Sequence, residues 1–122
     1  MAVENDRLTE KMIGLAIEVH RQLGHGLLES AYEECLCLEL QEAGLAFRRQ
    51  VPLPIKYKSV RLDCGYRLDL LIDDQLILEL KSVEGLLPIH EAQVLAYMRL
   101  SGARTGLLLN FNSAVLKMVY GG

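Results

Sequence analysis

The succession of helical and extended segments in this chain predicts an α/β fold, an α+β sandwich in which helices flank a mixed β-sheet. Three observations carry that expectation. Apolar residues recur at helical spacing in two early segments and one later one. Short apolar runs bounded by proline, glycine and asparagine lie between and after them. The 122 residues are 51% hydrophobic and 24% charged, which suits one core of ordinary size. A single domain over 1–122 is therefore expected.

Leu8, Met12, Leu15, Val19 and Leu23 mark a first helix near 6–23, stopped at Gly24. Gly24-His25-Gly26 breaks the chain, and a second helix runs from about Leu28 to Ala43 before Gly44. Pro52 and Pro54 make Val51–Tyr57 extended and suit it to a sheet edge. Tyr66–Lys81 reads as two apolar strands around a polar turn. Pro88 opens a third helix that reaches about Leu100 and closes at Ser101-Gly102. Thr105–Leu109 and Ala114–Tyr120 complete the strands, with Asn110–Ser113 between them. The order is helix, helix, three strands, helix, two strands.

Composition narrows the function classes. No apolar run approaches the roughly 18 residues that cross a membrane. Met1–Arg7 is polar and acidic, unlike a secretory signal. Cys35, Cys37 and Cys64 are odd in number and lack a C-x-x-C pair, which argues against a zinc site or disulfide framework. A reducing cytoplasm is the expected setting. The net charge is −3, but its distribution is uneven. Between positions 46 and 67, Arg48, Arg49, Lys56, Lys58, Arg61 and Arg67 face only Asp63. Such a belt suits a phosphate-backbone ligand, DNA or RNA, with Arg48, Arg49, Lys56 and Lys58 as contacts. Taken alone, it better suits a solvated edge strand whose cations discourage aggregation.

Asp69, Glu79 and Lys81 stand inside the apolar hairpin, where an ionised group is costly unless something pairs with it. Alternation puts Ile77, Glu79, Lys81 and Val83 on one face of the second strand, with Glu79 and Lys81 roughly 6–7 Å apart. With a loop of Asp73-Asp74-Gln75, Asp69 lies directly opposite Glu79; a loop of even length would send it to the other face. Opposed carboxylates repel, and a bound Mg²⁺ or Mn²⁺ reverses that sign. The cation would acidify a bound water, and the lysine would hold water or screen a phosphate. The simpler alternative is that Lys81 forms salt bridges with both acids.

Asp69, nine intervening residues and Glu79-Leu80-Lys81 resemble the D…(D/E)-x-K pattern of the PD-(D/E)xK nuclease superfamily. Gly26-Leu27-Leu28-Glu29-Ser30-Ala31-Tyr32 matches the motif of its small GxxExxY family. His90-Glu91-Ala92-Gln93-Val94-Leu95-Ala96-Tyr97 resembles that family's H-x-A-Q-x-x-x-Y stretch. The likeness covers about residues 8 to 120. It implies a restriction-endonuclease-like core and a metal-dependent nuclease using Mg²⁺ or Mn²⁺. By position, Asp69, Glu79, Glu29 and the Leu80 backbone carbonyl would ligate metal, Lys81 would be the catalytic lysine, and Gln93 would orient water or phosphate. Leu68 stands where many members carry proline. The alternative is a catalytically silent module of the same fold that binds nucleic acid or a protein partner. A homodimer or a larger partner would enlarge the surface available to a duplex. Tyr32 and Tyr97 are expected to seal the core with a polar tip, and Cys35 and Cys37 to pack.

Overall fold

The computed structural model describes residues 3–113 and 117–121. Helix α1 (Val3–Leu23) and helix α2 (Glu29–Glu42) come first. Met12, Ala16 and Val19 repeat at helical spacing on α1 and are buried with Tyr32, Leu36, Cys37 and Leu40 of α2. Gly24 ends α1 at φ 71°, in the left-handed region where a side chain would be strained. Leu28 caps α2 without a side-chain hydrogen bond, so Glu29 in the first turn supplies the negative charge that the helix dipole favours.

The strands are β1 (Phe47–Pro52), β2 (Ile55–Tyr57), β3 (Val60–Leu62), β4 (Arg67–Ile72), β5 (Leu76–Lys81), β6 (Thr105–Asn110) and β7 (Lys117–Gly121), with α3 (Pro88–Ser101) between β5 and β6. A five-stranded sheet has the order β1-β4-β5-β6-β7, and β2 pairs with β3 in a separate ribbon. Only β5 and β6 pair in parallel, across the α3 connection; the other neighbours are antiparallel. The mixed sheet flanked by helices is the architecture expected from the sequence.

One segment differs. The run Val51–Tyr57 is not one strand: β1 begins at Phe47 and stops at Pro52, and the chain then enters the β2–β3 ribbon. Pro52 and Pro54 lack the N–H groups that would continue a ladder, and Lys58 at φ 57° turns Tyr57 back onto Val60. The basic belt is thereby divided. Arg48 and Arg49 lie on β1, whereas Lys56 is in the ribbon and Lys58 in its turn. The final strand begins at Lys117; positions 114–116 of the expected Ala114–Tyr120 run lie outside the described residues.

The sheet separates two cores. Leu70, Ile72, Leu76, Leu78, Leu80, Leu107 and Leu109 pack toward α1 and α2. Leu71 and Ile77 pack on the opposite face with Leu53, Leu68 and Tyr97. α3 reaches that face over Gly106 of β6, where an added Cβ would meet Val94 Cγ1 at 2.5 Å and Met98 Sδ at 2.9 Å. Gly106→Ala therefore overpacks the α3–sheet contact and should destabilise the fold by about 1–3 kcal/mol. Urea unfolding should show a lower midpoint with an unchanged slope.

Candidate functional site

The β4–β5 hairpin turns through Asp73, Asp74 and Gln75. Asp73 and Asp74 take φ 52° and 54°, values that aspartate tolerates better than most residues, and Gln75 N–H donates to Ile72 O at 2.9 Å. Leu70 pairs with Leu78, Leu71 with Ile77 and Ile72 with Leu76, so the odd loop puts Asp69 in register with Glu79. The backbone ladder stops there and the side chains take over. Asp69 N–H donates to Glu79 Oε2, and Leu80 N–H donates to Asp69 Oδ2, each at 2.9 Å. Each carboxyl thus accepts an N–H that the interrupted ladder leaves without a backbone carbonyl. Its second oxygen has no protein hydrogen-bond partner among the described residues.

The neighbouring ladder is interrupted at the same level. β1 pairs with β4 at Arg49–Leu70 and again at Val51–Leu68, but Gln50, opposite Asp69, sits at φ 48° and is unpaired. Buried Glu33 of α2 holds that kink. Its Oε1 accepts from Gln50 Nε2 at 2.8 Å, and its Oε2 accepts from Arg49 Nε and Nη2 at 3.2 and 2.9 Å. Glu34 adds a second carboxylate on Arg49 at 2.8 Å. Leu68 and Leu70, two positions apart, consequently pack in opposite cores.

Burial pushes the Glu79 carboxyl from its ordinary 4.5 up to about 8, with the Asp69 charge adding to the shift. Asp69 is also raised, first by burial, against the Leu80 N–H, which lowers it; Glu33 and Glu29 raise it further. Lys81 favours ionisation of both acids. It nevertheless makes no ion pair within 4.0 Å among the described residues, so the simple salt-bridge alternative is not what the fold adopts. Two desolvated carboxyls with open oxygens and no paired cation are a donor set that fits a hard divalent ion. The Leu80 N–H points toward Asp69, and the carbonyl of a strand residue points the same way as its N–H, so that carbonyl also faces β4.

The other expected residues gather less tightly. Glu29, exposed on the first turn of α2, contributes charge at both acids. No group of three His, Cys, Asp or Glu side chains close enough to hold a metal occurs among the described residues, so Glu29 does not complete a cluster with the pair. Gln93 is half-buried on α3, one turn before Tyr97, whose phenol is shifted upward by burial and then by the charge on Glu79. Arg49 is engaged by Glu33 and Glu34, and Arg48 by Asp74 at 2.9 Å. Lys58 lies 5.7 Å from the Tyr57 ring centre. Tyr32 is fully buried, stacks on Phe111 at 4.4 Å, donates to Gly24 O and accepts from Leu27 N–H. It is the core-sealing tyrosine the sequence suggested, and it also ties down the loop that precedes Glu29.

Sequence reasoning missed three supports. Glu33 is four residues after Glu29, on the same helical face, a spacing that could have marked it. Ser82 Oγ donates to Leu27 O at 2.6 Å, joining the end of β5 to the loop before α2. Asn110, buried at the end of β6, accepts from Val83 N–H and donates to Val83 O at 3.1 and 3.0 Å, fixing the chain beyond Lys81. A polar residue ending an apolar run was the available signal for Asn110; nothing in a single sequence singles out Gln50.

A sequence model described as the PD-(D/E)XK nuclease superfamily matches residues 6–120, and the chain belongs to that superfamily. Comparison with curated proteins and with solved structures gives no match. Among the described residues no helix is long and apolar enough to cross a membrane.

The raised Glu79 carboxyl fixes the sign of a pH effect. Between about 4.5 and about 8 the unfolded chain has released a proton that folded Glu79 still holds. Raising pH through that window therefore favours unfolding, and the loss levels off above it. Metal-free wild type should show a falling melting temperature there, and Glu79→Gln, which keeps an acceptor for Asp69 N–H, a flatter profile. Equal slopes in the two proteins would sink this assignment.

Proposed function

We propose, with that membership as the premise, that the chain is a metal-dependent nuclease hydrolysing phosphodiester bonds of DNA or RNA, of the GxxExxY type. The observation that carries this reading is the Asp69–Glu79 pair, desolvated, anchored to backbone and left without an ion-paired cation. Mg²⁺ or Mn²⁺ would be held by the open oxygens of Asp69 and Glu79 and by the Leu80 carbonyl, with Glu29 approaching from α2. When bound, the metal supplies an acidified water and neutralises charge growing on a phosphoryl oxygen.

The chain's own groups do the remaining work. Glu79, pushed up to about 8, must lose its proton before it ligates, so metal affinity should rise with pH. Lys81, two positions beyond Glu79 on the same strand face, offers an ammonium to the attacking water or to the phosphate. Gln93 adds an amide from the α3 side that can orient either. Arg48, Arg49, Lys56 and Lys58 would contact the nucleic-acid backbone; Arg49 could do so only while sharing its guanidinium with Glu33 and Glu34.

Wild type should cleave nucleic acid with Mg²⁺ or Mn²⁺ and not in EDTA. Asp69→Ala and Lys81→Met should each lower the rate by about two orders of magnitude or more. The metal should also raise the melting temperature of wild type but not of Asp69→Ala. If metal binds and wild type is as inert as Asp69→Ala on single- and double-stranded DNA and RNA, catalysis is the wrong reading. The fold then serves as a binding module.

A further inference from the structure

Beside β1, the surface sinks into a groove of about 510 Å³ between the β2–β3 ribbon and the C-terminal turn of α3. Arg48, Lys56, Arg61 and Arg99 line it, and no carboxylate does among the described residues. That is a local excess of positive charge on a chain whose net charge is −3. Lys56, Arg61 and Arg99 make no ion pair within 4.0 Å among the described residues. The Arg48–Asp74 pair is solvent-exposed on both sides and holds Arg48 weakly. Between the cations, Val51, Pro52, Pro54 and Leu100 offer apolar surface.

The groove's lining reaches the strand that carries Asp69. Leu68 lines it and directly precedes Asp69. Leu53, also in its lining, donates its N–H to Tyr66 O at 2.9 Å. The Tyr66 ring, 41% exposed, meets Tyr97 edge-on with centres 5.9 Å apart. Tyr97 in turn lies within electrostatic reach of Glu79 and Asp69.

We propose that this groove holds an unpaired stretch of nucleic-acid strand leading away from the Asp69–Glu79 centre. The proposal rests on the nuclease reading for its direction, but its recognition chemistry is separate. A duplex stacks its base faces out of reach and presents phosphates and base edges, so a recess that receives a whole base face has no use there. An unpaired strand presents phosphates and bases together, matching cations interleaved with apolar surface and an exposed aromatic ring. Tyr66, outside the lining but joined to it through the Leu53 hydrogen bond, is the stacking platform, and Arg61 and Arg99 hold phosphates from opposite walls.

Fluorescence anisotropy in EDTA, where cleavage is suppressed, tests this with a labelled strand of about a dozen nucleotides, alone and annealed to its complement. Wild type should bind the single strand about tenfold or more tighter than the duplex. Arg61→Glu combined with Arg99→Glu, both at exposed positions, should weaken single-strand binding by about tenfold or more and reduce its salt slope by about 1.4. Tyr66→Ala should weaken it without changing that slope. Equal affinity for duplex, no measurable single-strand binding at low salt, or a charge-reversed variant that binds as wild type would each overturn the proposal. Groove-dependent single-strand binding without metal-dependent cleavage would support the groove and fail the nuclease reading. Cleavage with unchanged KM in the charge-reversed variant would overturn the groove and leave that reading intact.

Discussion

Everything distinctive in this fold follows from the exchange between Asp69 and Glu79. Two carboxyls on adjacent strands would ordinarily push those strands apart. Here each accepts an N–H at the level where the backbone ladder has ended, so the opening between the strands is held by the groups that occupy it. The exchange uses one oxygen of each acid and leaves the other open. Burial raises both acids' affinity for protons, and the two hydrogen bonds of the exchange oppose that rise.

Such an opening needs support from every side, and the supports come from distant parts of the chain. Glu33 of α2 fixes the kink at Gln50, which frees β4 from β1 beside Asp69. Asn110 of β6 clasps Val83 and steadies the segment after Lys81. Ser82 ties the same segment to the loop before Glu29. Asn110 and Ser82 bond backbone groups, the ordinary remedy where regular pairing stops, whereas Glu33 acts through the side chains of Arg49 and Gln50. The site is therefore a place where the sheet yields locally, framed by two cores that remain apolar.

Much of this was legible in the sequence because it depends on period and parity. Helical spacing located α1, α2 and α3 within a few residues, and the three-residue turn at Asp73–Gln75 decided that Asp69 faces Glu79. The ribbon at Ile55–Leu62 was missed because Val51–Tyr57 has one composition throughout, and only the missing N–H groups of two prolines divide it. The Glu33–Gln50 contact was illegible for a different reason. It joins a helix to a strand 17 residues away through a backbone angle that glutamine rarely adopts, and no local propensity announces it. Charge alone does not show that the surface cation Arg49 is also engaged by two carboxylates of α2.

The Tyr32 hydroxyl spans Gly24 and Leu27 while its ring lies flat on Phe111, just beyond the end of β6. One side chain thus has its ring in the main core and its oxygen on the loop that leads into Glu29. Among the described residues the loop's other long-range anchor is Ser82, so its position reports the packing beneath it. A perturbation near Phe111 therefore reaches the loop before Glu29 through the one side chain that touches both. In this small protein, the fidelity of the site is mechanically geared to the density of the core.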